Sequence, residues 1–159
     1  MLETRTATVA DAALIADHRR AMFAAMGRAE ESLLDQVRRA SESWTARMIR
    51  EGKYLGWITI DDRRPIASAG MLILDWPPHP FDPAGEVRAY LLNVFVEPDY
   101  RGRGLARGLL QQCIAEARRR NIGVISLHAS AEGRPLYESL GFRGSNEMLL
   151  AQMSTDLPR

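Results

Sequence analysis

The most informative segment of this chain lies at 93–112 and has the sequence Asn93-Val-Phe-Val-Glu-Pro-Asp-Tyr-Arg-Gly-Arg-Gly-Leu-Ala-Arg-Gly-Leu-Leu-Gln-Gln112. It continues a β-branched and aromatic run from Leu91 to Val96, which predicts a buried strand that Pro98 ends. After the glycine-rich turn, apolar residues recur in steps of three and one, which predicts an amphipathic helix. These apolar positions are Ala106, Leu109, Leu110, Cys113, Ile114 and Ala117. The order is therefore strand, glycine-rich turn and helix.

The turn from Arg101 to Ala106 is suited to binding an anion. The first backbone N–H groups of a helix have no partner inside the helix, and they lie at the positive end of its dipole. Gly102 and Gly104 remove the side chains that would keep a phosphate away from those donors. The sequence therefore predicts a site for a phosphate or a pyrophosphate.

Two other phosphate-binding loops do not fit the spacing. A Walker loop ends in Gly-Lys-Ser or Gly-Lys-Thr, and neither occurs in this chain. A dinucleotide fingerprint that began at Gly102 would place its third glycine at Arg107. It would also want an acidic residue about 20 positions later, where the chain has Ser126, Leu127 and His128. Both alternatives are excluded by spacing.

What remains is Arg-x-x-Gly-x-Ala at Arg101, Gly104 and Ala106, which resembles the coenzyme A pyrophosphate loop of the GNAT acetyltransferases. The lead-in Val-x-Pro-x-Tyr at 96–100 and the later segment Leu136-Tyr-Glu-Ser-Leu-Gly-Phe142 also look like motifs of that family. The resemblance implies an α/β fold with a single GNAT-like domain over residues 1–159. Its mixed central sheet would be splayed between two central parallel strands and flanked by about four helices.

The patterns along the whole chain predict the order β-α-α-β-β-β-α-β-α-β. Thr8 and Asp11 form a predicted capping box at the first helix, and Gly27 and Gly52 are expected to end the first two helices. The predicted strands lie at 4–8, 54–60, 66–74, 91–96, 123–129 and 144–153, with a short helix at 132–140. This order matches the GNAT order over nearly the whole chain.

The resemblance also implies where coenzyme A binds. In the family, the pantetheine arm pairs with the exposed backbone of the central strand, at a bulge that parts two parallel strands. A backbone N–H there can also polarise the thioester carbonyl. Pyrophosphate is held by the N–H groups of the turn. The candidate coenzyme-binding residues are therefore Val94, Phe95, Val96, Arg101, Gly102, Arg103, Gly104, Leu105, Ala106, Arg107 and Ser130.

Tyr137 is the candidate general acid. Its place in the Leu-Tyr-x-x-x-Gly-Phe segment matches the tyrosine whose hydroxyl lies near the coenzyme sulfur in the family, where it can protonate the leaving thiolate. The alternative is a buried tyrosine that only caps the short helix.

His128 is the candidate general base. Some family members carry a carboxylate on the strand after the coenzyme helix, and His128 falls on the corresponding strand. A histidine can accept a proton near neutral pH, directly or through water. The chain departs from the family pattern here, because Ser130 replaces the usual Asn seven residues before the tyrosine. Glu86, Glu97 and an ordered water remain alternative bases.

The composition restricts the class of protein. The chain has 159 residues, of which 46% are hydrophobic and 26% charged, as in one ordinary globular domain. Its formal net charge of +1 argues against a basic nucleic-acid surface. The single cysteine, Cys113, is expected to be a small buried hydrophobe, and no disulfide can form within the chain. No apolar run approaches the length of a membrane span. We therefore expect a cytoplasmic protein without nucleic-acid or membrane partners.

The histidines and the surface loops give weaker signals. His18, His79 and His128 have no ligand spacing with one another or with Cys113, so no metal is expected. His18 lies near the apolar stripe of the first helix and is expected to be packed. In the family that the chain resembles, the first two helices and the loop between them form one wall of the acceptor cleft, so the resemblance implies that the segment 24–28 is a candidate for acceptor specificity. The proline-rich loop at 75–85 either holds aromatic side chains for the acceptor or packs them on the sheet.

Taken together, the residues and the resemblance predict an acetyl-CoA-dependent N-acetyltransferase that acts by direct transfer in a ternary complex. The acceptor would be a primary amine, either on a small molecule or on a peptide, and a homodimer is among the possible assemblies. The alternative is a non-catalytic acyl-CoA-binding sensor or interaction module. An acyl donor longer than acetyl stays open.

Overall fold

The protein is represented by a computed structural model that describes residues 1–27 and 29–150. The chain divides into two compact units, of which the first is Met1–His128 and the second begins at Ala129.

The first unit contains one five-stranded sheet, in the order β1-β2-β3-β4-β5. The strands are β1 (Leu2–Thr6), β2 (Tyr54–Asp61), β3 (Arg64–Asp75), β4 (Val87–Val96) and β5 (Ile125–Leu127). Neighbouring strands are antiparallel except for β4 and β5, which run parallel. The parallel pair extends over three residues only, from Ala89 to Leu91 on β4. The sheet is therefore mixed, as predicted, and it is open, with β1 and β5 at its edges.

Four α-helices accompany the sheet in the described part of the chain. They are α1 (Ala12–Ala25), α2 (Glu31–Arg50), α3 (Leu105–Arg119) and, in the second unit, α4 (Arg134–Ser139). Short 3₁₀ turns lie at Val9–Asp11 and Pro98–Tyr100. Gly27 and Gly52 follow the first two helices with φ of 63° and 70°, the left-handed conformation that glycine adopts without strain. The predicted α/β class with about four helices is confirmed.

The start of α1 is fixed by the predicted capping box. The backbone N–H of Thr8 donates to Asp11 Oδ2 at 2.7 Å. Arg5 donates to both carboxylate oxygens of Asp11, at 2.9 and 2.8 Å. These bonds from Arg5, with those from Thr8, lower the pKa of Asp11 to about 2. The ion pair thereby ties the end of β1 to the beginning of α1.

The two faces of the sheet are covered by different helices. On one face, Ile15 of α1 and Met48 of α2 pack with Tyr54, Ile58 and Leu72 of the strands. Because side chains alternate along a strand, the buried neighbours of these residues point to the other face, where α3 contacts β3 and β4. The buried residues of α3 are Leu109, Leu110, Cys113 and Ala117. Burial raises the pKa of the Cys113 thiol to about 12, so this cysteine acts as a core hydrophobe, as expected.

The predicted final strand at 144–153 is wrong over its described part. Residues 144–150 have no regular secondary structure, and residues 151–153 lie outside the described part of the chain. Gly144, Ser145 and Asn146 open this segment, and none of the three favours a strand. The other predicted elements are present with shifted ends. β4 begins at Val87 rather than at Leu91, and β5 is limited to Ile125–Leu127.

His18 joins α1 to the sheet from a buried position. Its side chain is 5% exposed, and its Nδ1 forms a hydrogen bond of 2.8 Å with Ser68 Oγ. Its ring lies 4.5 Å from the ring of Phe95, centroid to centroid. Burial lowers the pKa of His18 to about 4, because the charged imidazolium would lose its hydration. The packed role expected for this histidine is therefore confirmed.

We expect the free energy of unfolding to fall as the pH is lowered from 6.5 to about 4. In this window the unfolded state takes up the His18 proton and the folded state does not, which stabilises the unfolded state. Across the whole window the free energy of unfolding should fall by about 3 kcal/mol, since each pKa unit corresponds to about 1.4 kcal/mol. Urea unfolding at a series of pH values measures it. His18→Asn, which keeps a partner for Ser68, should flatten the pH dependence.

The matched control is His79→Asn, since His79 lies in the loop between β3 and β4. This variant should retain the pH dependence of the wild type. Asp11 does not contribute in the same window, because its pKa falls from 3.8 to about 2 on folding. Parallel pH profiles for the wild type and His18→Asn would contradict the assignment.

Candidate functional site

The backbone of β4 carries a bulge at Asn93. Leu92 lies opposite Gly70 of β3 and Phe95 lies opposite Ser68, so two residues of β4 face one residue of β3. Asn93 has a φ of 55°, in the left-handed region that asparagine tolerates better than most residues. The bulge therefore depends on a residue that accepts this conformation.

The bulge also reverses which side chains of β4 face α1. Before it, Tyr90 and Leu92 pack against the core beneath α1 and α2. After it, Phe95 is the residue on that face, where its ring meets His18. Even-numbered residues of β4 therefore face α1 before the bulge, and odd-numbered residues face α1 after it. Sequence alternation alone would continue the original register through Val96.

The side chain of Asn93 is buried, at 2% exposure, and its amide is bonded at both ends. Its Oδ1 accepts a hydrogen bond of 2.8 Å from Arg19 Nη1, and its Nδ2 donates one of 3.1 Å to Tyr54 Oη. Because a guanidinium only donates, the oxygen of the amide must face Arg19. A Cβ at Gly70 would collide with the Tyr54 hydroxyl, so glycine there makes room for this network.

Beyond the bulge, the outer edge of β4 has no strand partner among the described residues. Glu97 donates its backbone N–H to β3 at 2.8 Å. Because backbone groups alternate in direction along a strand, those of Phe95 also point to β3, whereas those of Val94 and Val96 point away from it. β5 pairs with β4 only from Ala89 to Leu91. On its β5 side, β4 therefore pairs with no strand of the described sheet at Val94 or Val96.

The glycine-rich turn lies at the N-terminus of α3. Gly102 and Gly104 have φ of 74° and 80°, and a Cβ at either position would meet no atom within 4 Å. The backbone conformation, rather than crowding, therefore requires glycine there. The N–H of Gly108 donates the first bond of the helix, to Gly104 O at 3.0 Å. The N–H groups of Leu105 and Ala106 precede it, at the positive end of the helix.

Two arginines shape the turn by bonding to backbone oxygens. Arg101 Nε donates to Val96 O at 3.3 Å, and Arg103 donates to Asp99 O at 2.8 Å. Arg103 also lies over the ring of Tyr100, 4.9 Å from its centroid. Arg101, Arg103 and Arg107 are exposed. The turn thus presents backbone donors and positive charge at one end of α3.

His128 lies at the end of the first unit, just after β5. Its Nδ1 forms a hydrogen bond with the hydroxyl of Tyr90 on β4, and the two ring centroids are 5.6 Å apart. The His128 side chain is exposed, whereas Tyr90 is half-buried. The bond to Tyr90 fixes the ring at Nδ1 and leaves Nε2 for another partner.

The two alternative bases, Glu86 and Glu97, do not bond to a side chain near the bulge in the way that His128 does. Glu97 forms an ion pair with Arg64, with 3.6 Å between nitrogen and oxygen. Glu86 is exposed and precedes β4, at the end of the strand remote from the bulge. His128 is the candidate base that shares a hydrogen bond with a side chain of β4 near the bulge.

Tyr137 and Ser130 belong to the second unit. Tyr137 lies on α4, half-buried, with its ring 6.1 Å from that of Phe142. Its backbone oxygen accepts bonds from Leu140 and Phe142, at 3.0 and 3.1 Å. Ser130 Oγ accepts the N–H of Gly133 at 3.1 Å, in the turn that leads into α4. The catalytic role of Tyr137 and the coenzyme contact of Ser130 stay predictions.

The sequence did not single out Arg19 or Tyr90, and the family resemblance implied a bulge in this strand without locating it at Asn93. A signal was available for Arg19, which follows Ile15 by four residues and precedes Phe23 by four. It therefore lies on the apolar face of α1, where a charge is unusual. In the candidate specificity segment 24–28, Arg28 lies outside the described residues.

The described ranges show neither a clustered metal site nor a membrane-spanning helix. No group of three or more histidine, cysteine, aspartate or glutamate side chains is arranged to hold a metal ion there. Nor does any helix within 1–27 and 29–150 combine the length and apolarity needed to cross a membrane.

Comparison with known proteins places the chain in a family. Residues 13–142 match the acetyltransferase (GNAT) family. The structure resembles a GCN5-related N-acetyltransferase from Ralstonia eutropha JMP134, with a TM-score of 0.91 and 32% identity, covering 97% of this chain and 100% of that one. A predicted acetyltransferase from Clostridium acetobutylicum, solved with acetyl-CoA, has a TM-score of 0.85 and 28% identity, covering 96% and 97%.

Curated relatives match over shorter segments. A [ribosomal protein bS18]-alanine N-acetyltransferase of Escherichia coli K12 is 42% identical over 57 residues, which are 34% of this chain and 38% of that protein. The glucosamine 6-phosphate N-acetyltransferase of Trypanosoma brucei brucei is 31% identical over 94 residues, 59% and 58% of the two chains. Across the curated relatives described, the chain covers from 38% to 58% of their length.

The names of these relatives agree with the enzyme class predicted from the sequence, an acyltransferase of the acetyl-CoA-dependent type. The family match extends over most of the sequence, and the fold agrees over nearly all of it. The chain belongs to the acetyltransferase (GNAT) family.

Proposed function

We propose that this protein moves an acetyl group from acetyl-CoA to a primary amine, by direct transfer in a ternary complex. The observation that carries the proposal is the free edge of β4 beyond the bulge at Asn93, on a strand that leads into the glycine-rich start of α3. Residues 1–159 form one domain in this proposal, since the family match at 13–142 runs through both units.

The residues of the turn fit the pyrophosphate of coenzyme A. Gly102 and Gly104 leave open space where side chains would stand, and the backbone N–H groups from Gly102 to Arg107 supply donors. Arg103 and Arg107 add positive charge. On β4, the free edge at Val94 and Val96 would pair with the amide groups of the pantetheine arm. Phe95 would support this edge from behind through its contact with His18.

A backbone N–H on this edge would also polarise the thioester carbonyl. Its contribution would grow as negative charge develops on the oxygen, because the donor is held in place by the strand before the reaction begins. Acetyl-CoA supplies an activated acetyl group, so the protein has to position it, exclude water and move protons. The solved neighbour that contains acetyl-CoA supports this choice of donor.

His128 would take the proton from the acceptor ammonium. If Nδ1–H donates to Tyr90, Nε2 keeps the lone pair that accepts the proton. Tyr90 then holds the ring and bonds to the imidazolium that forms. Tyr137 would act at the other end of the reaction, by giving its hydroxyl proton to the departing thiolate. This second role follows from its place in the Leu-Tyr-x-x-x-Gly-Phe segment.

The acceptor is defined only as a primary amine. The names of the relatives specify a protein alanine in one case and an amino sugar phosphate in another, so peptide and small-molecule acceptors both fit the family. A cytoplasmic location suits the buried, unpaired Cys113.

The proposed activity is tested by acceptor-dependent release of free coenzyme A thiol. The purified full-length chain is incubated with acetyl-CoA and a panel of amines, amino acids and short peptides. We expect thiol release to rise at least tenfold over hydrolysis with at least one primary amine, with one acetylated product per thiol. Coenzyme binding by calorimetry without any acceptor-dependent thiol would contradict the enzyme and favour the non-catalytic binding module.

Tyr137→Phe keeps the ring and removes the proton. Since a general acid typically contributes a factor of about 100 or more, we expect kcat to fall by at least about tenfold. The dissociation constant for coenzyme A, measured by calorimetry, should stay within about twofold because the binding turn is untouched. An unchanged kcat would reject the acid role. A loss of coenzyme affinity alone would assign the tyrosine to binding.

His128→Gln removes the candidate base and keeps a polar side chain. We expect kcat/KM to fall and the acidic limb of its pH profile to shift or flatten, because that limb reports the group that must be unprotonated. The matched control is His79→Gln, whose profile should follow the wild type. An acidic limb that stays in place in His128→Gln would exclude this histidine and favour an ordered water.

A further inference from the structure

Arg19 is a half-buried cation whose hydrogen-bond partner is neutral. Its Nη1 donates to the amide oxygen of Asn93 at 2.8 Å, and its guanidinium carbon lies 4.8 Å from the centre of the Phe23 ring. Burial lowers the pKa of Arg19, and the groups that oppose this effect are the phenols of Tyr54 and Tyr90. No carboxylate of the described residues lies within ion-pair distance of Arg19.

The neighbouring arginines have the opposite environment. Arg20 forms ion pairs with Glu31 and Asp35, and Arg38 forms ion pairs with Asp17 and Glu42. Charges removed from water are costly unless an opposite charge compensates for them. Arg19 is only half-buried, so it loses part of its hydration. In the described parts of the chain, none of its N–H groups donates to an anion. A guanidinium in this position can bind an anionic group of a ligand.

Its position relates this cation to the proposed reaction. Arg19 contacts Asn93, the residue at the bulge of β4. It also lies near the hydroxyl of Tyr90, which bonds to the candidate base His128. Tyr90 packs on the α1 face of the sheet, whereas the glycine-rich turn begins α3, which covers the other face. Arg19 is therefore placed near the side chain that bonds to the base, apart from the pyrophosphate turn.

We propose that Arg19 binds the acceptor, and that the preferred acceptor is an amine which also carries a carboxylate or a phosphate. This inference rests on the proposed acetyl transfer and names the substrate class of that same site. The planar guanidinium would grip either anion through two parallel hydrogen bonds. The anion in turn compensates the half-buried charge, which water and Asn93 do only in part.

Matched pairs of acceptors test this inference. Each pair presents the same amine with and without the anion: an amino acid and its amide, phosphoethanolamine and ethanolamine, and a hexosamine 6-phosphate and the free hexosamine. We expect the wild type to prefer the acidic member of at least one pair in kcat/KM. The amino acid pair reports a carboxylate preference, and the other two pairs report a phosphate preference.

Arg19→Gln should reduce the ratio of kcat/KM between the acidic and the neutral member by about ten to a hundredfold, mainly through KM of the acidic acceptor. Arg19→Lys, which keeps the charge without the fork, should give an intermediate ratio. Arg20→Gln is the matched control on the same helix. It removes an arginine that is already paired with Glu31 and Asp35, and its ratio should equal that of the wild type.

Three results would overturn the inference. The wild type could use both members of every pair equally well. Arg19→Gln could lower kcat/KM for both members by the same factor, which would assign Arg19 to holding the bulge through Asn93. If no amine in the panel accelerates thiol release, the proposed function fails first and the inference falls with it. The first two results leave acetyl transfer intact, so the two failures are distinguishable.

Discussion

The left-handed conformation of Asn93 is the constraint on which the rest of the site depends. A β-strand can take one extra residue only if that residue turns the backbone out of the extended region, and few side chains accept φ near 55°. Asparagine accepts it, but a buried amide must then find partners for its oxygen and its nitrogen. Arg19 and Tyr54 supply them. The bulge in β4 is thereby bonded to Arg19 of α1 and Tyr54 of β2.

The hydrogen bonds among Arg19, Asn93 and Tyr54 explain features that lie far apart in the sequence. Gly70 has no side chain because the Tyr54 hydroxyl occupies that space. Burial raises the pKa of Tyr54 to about 12, so the hydroxyl stays protonated and its oxygen remains a neutral acceptor for Asn93. The reversed alternation then brings Phe95 against His18, and Ser68 bonds to that histidine. The bulge is therefore held by side-chain packing and hydrogen bonds on the α1 face, which leaves the outer edge of β4 free.

Local signals predicted much of this fold. Pro98 and the glycines mark the passage from β4 to α3, Thr8 and Asp11 form a capping box, and Gly27 ends a helix. Each of these signals acts within a few residues, so a single sequence reveals it. The final strand failed because strand formation depends on a partner elsewhere, and the apolar run Met148-Leu-Leu150 has the composition of a strand without showing what would pair with it. The residue pattern did not locate the bulge for a related reason, since Leu91-Leu-Asn-Val-Phe-Val96 is also typical of an uninterrupted strand, and only the family resemblance implied a bulge there.

Arg19, which sequence reasoning overlooked, is a polar residue on a helix face that the pattern assigns to the core. His18, whose packing was expected, lies on the same side of α1, but the two side chains have different partners. His18 is neutral and bonded to Ser68, whereas Arg19 is charged and bonded to a neutral amide. A neutral buried group that has found its partner stabilises the packing of α1 on the sheet. A half-buried charge with no counter-charge does not, because its desolvation is uncompensated in the free protein. Both side chains are removed from water, but only the charge of Arg19 lacks a compensating partner. We therefore assign His18 to the stability of the fold and Arg19 to the binding of a ligand.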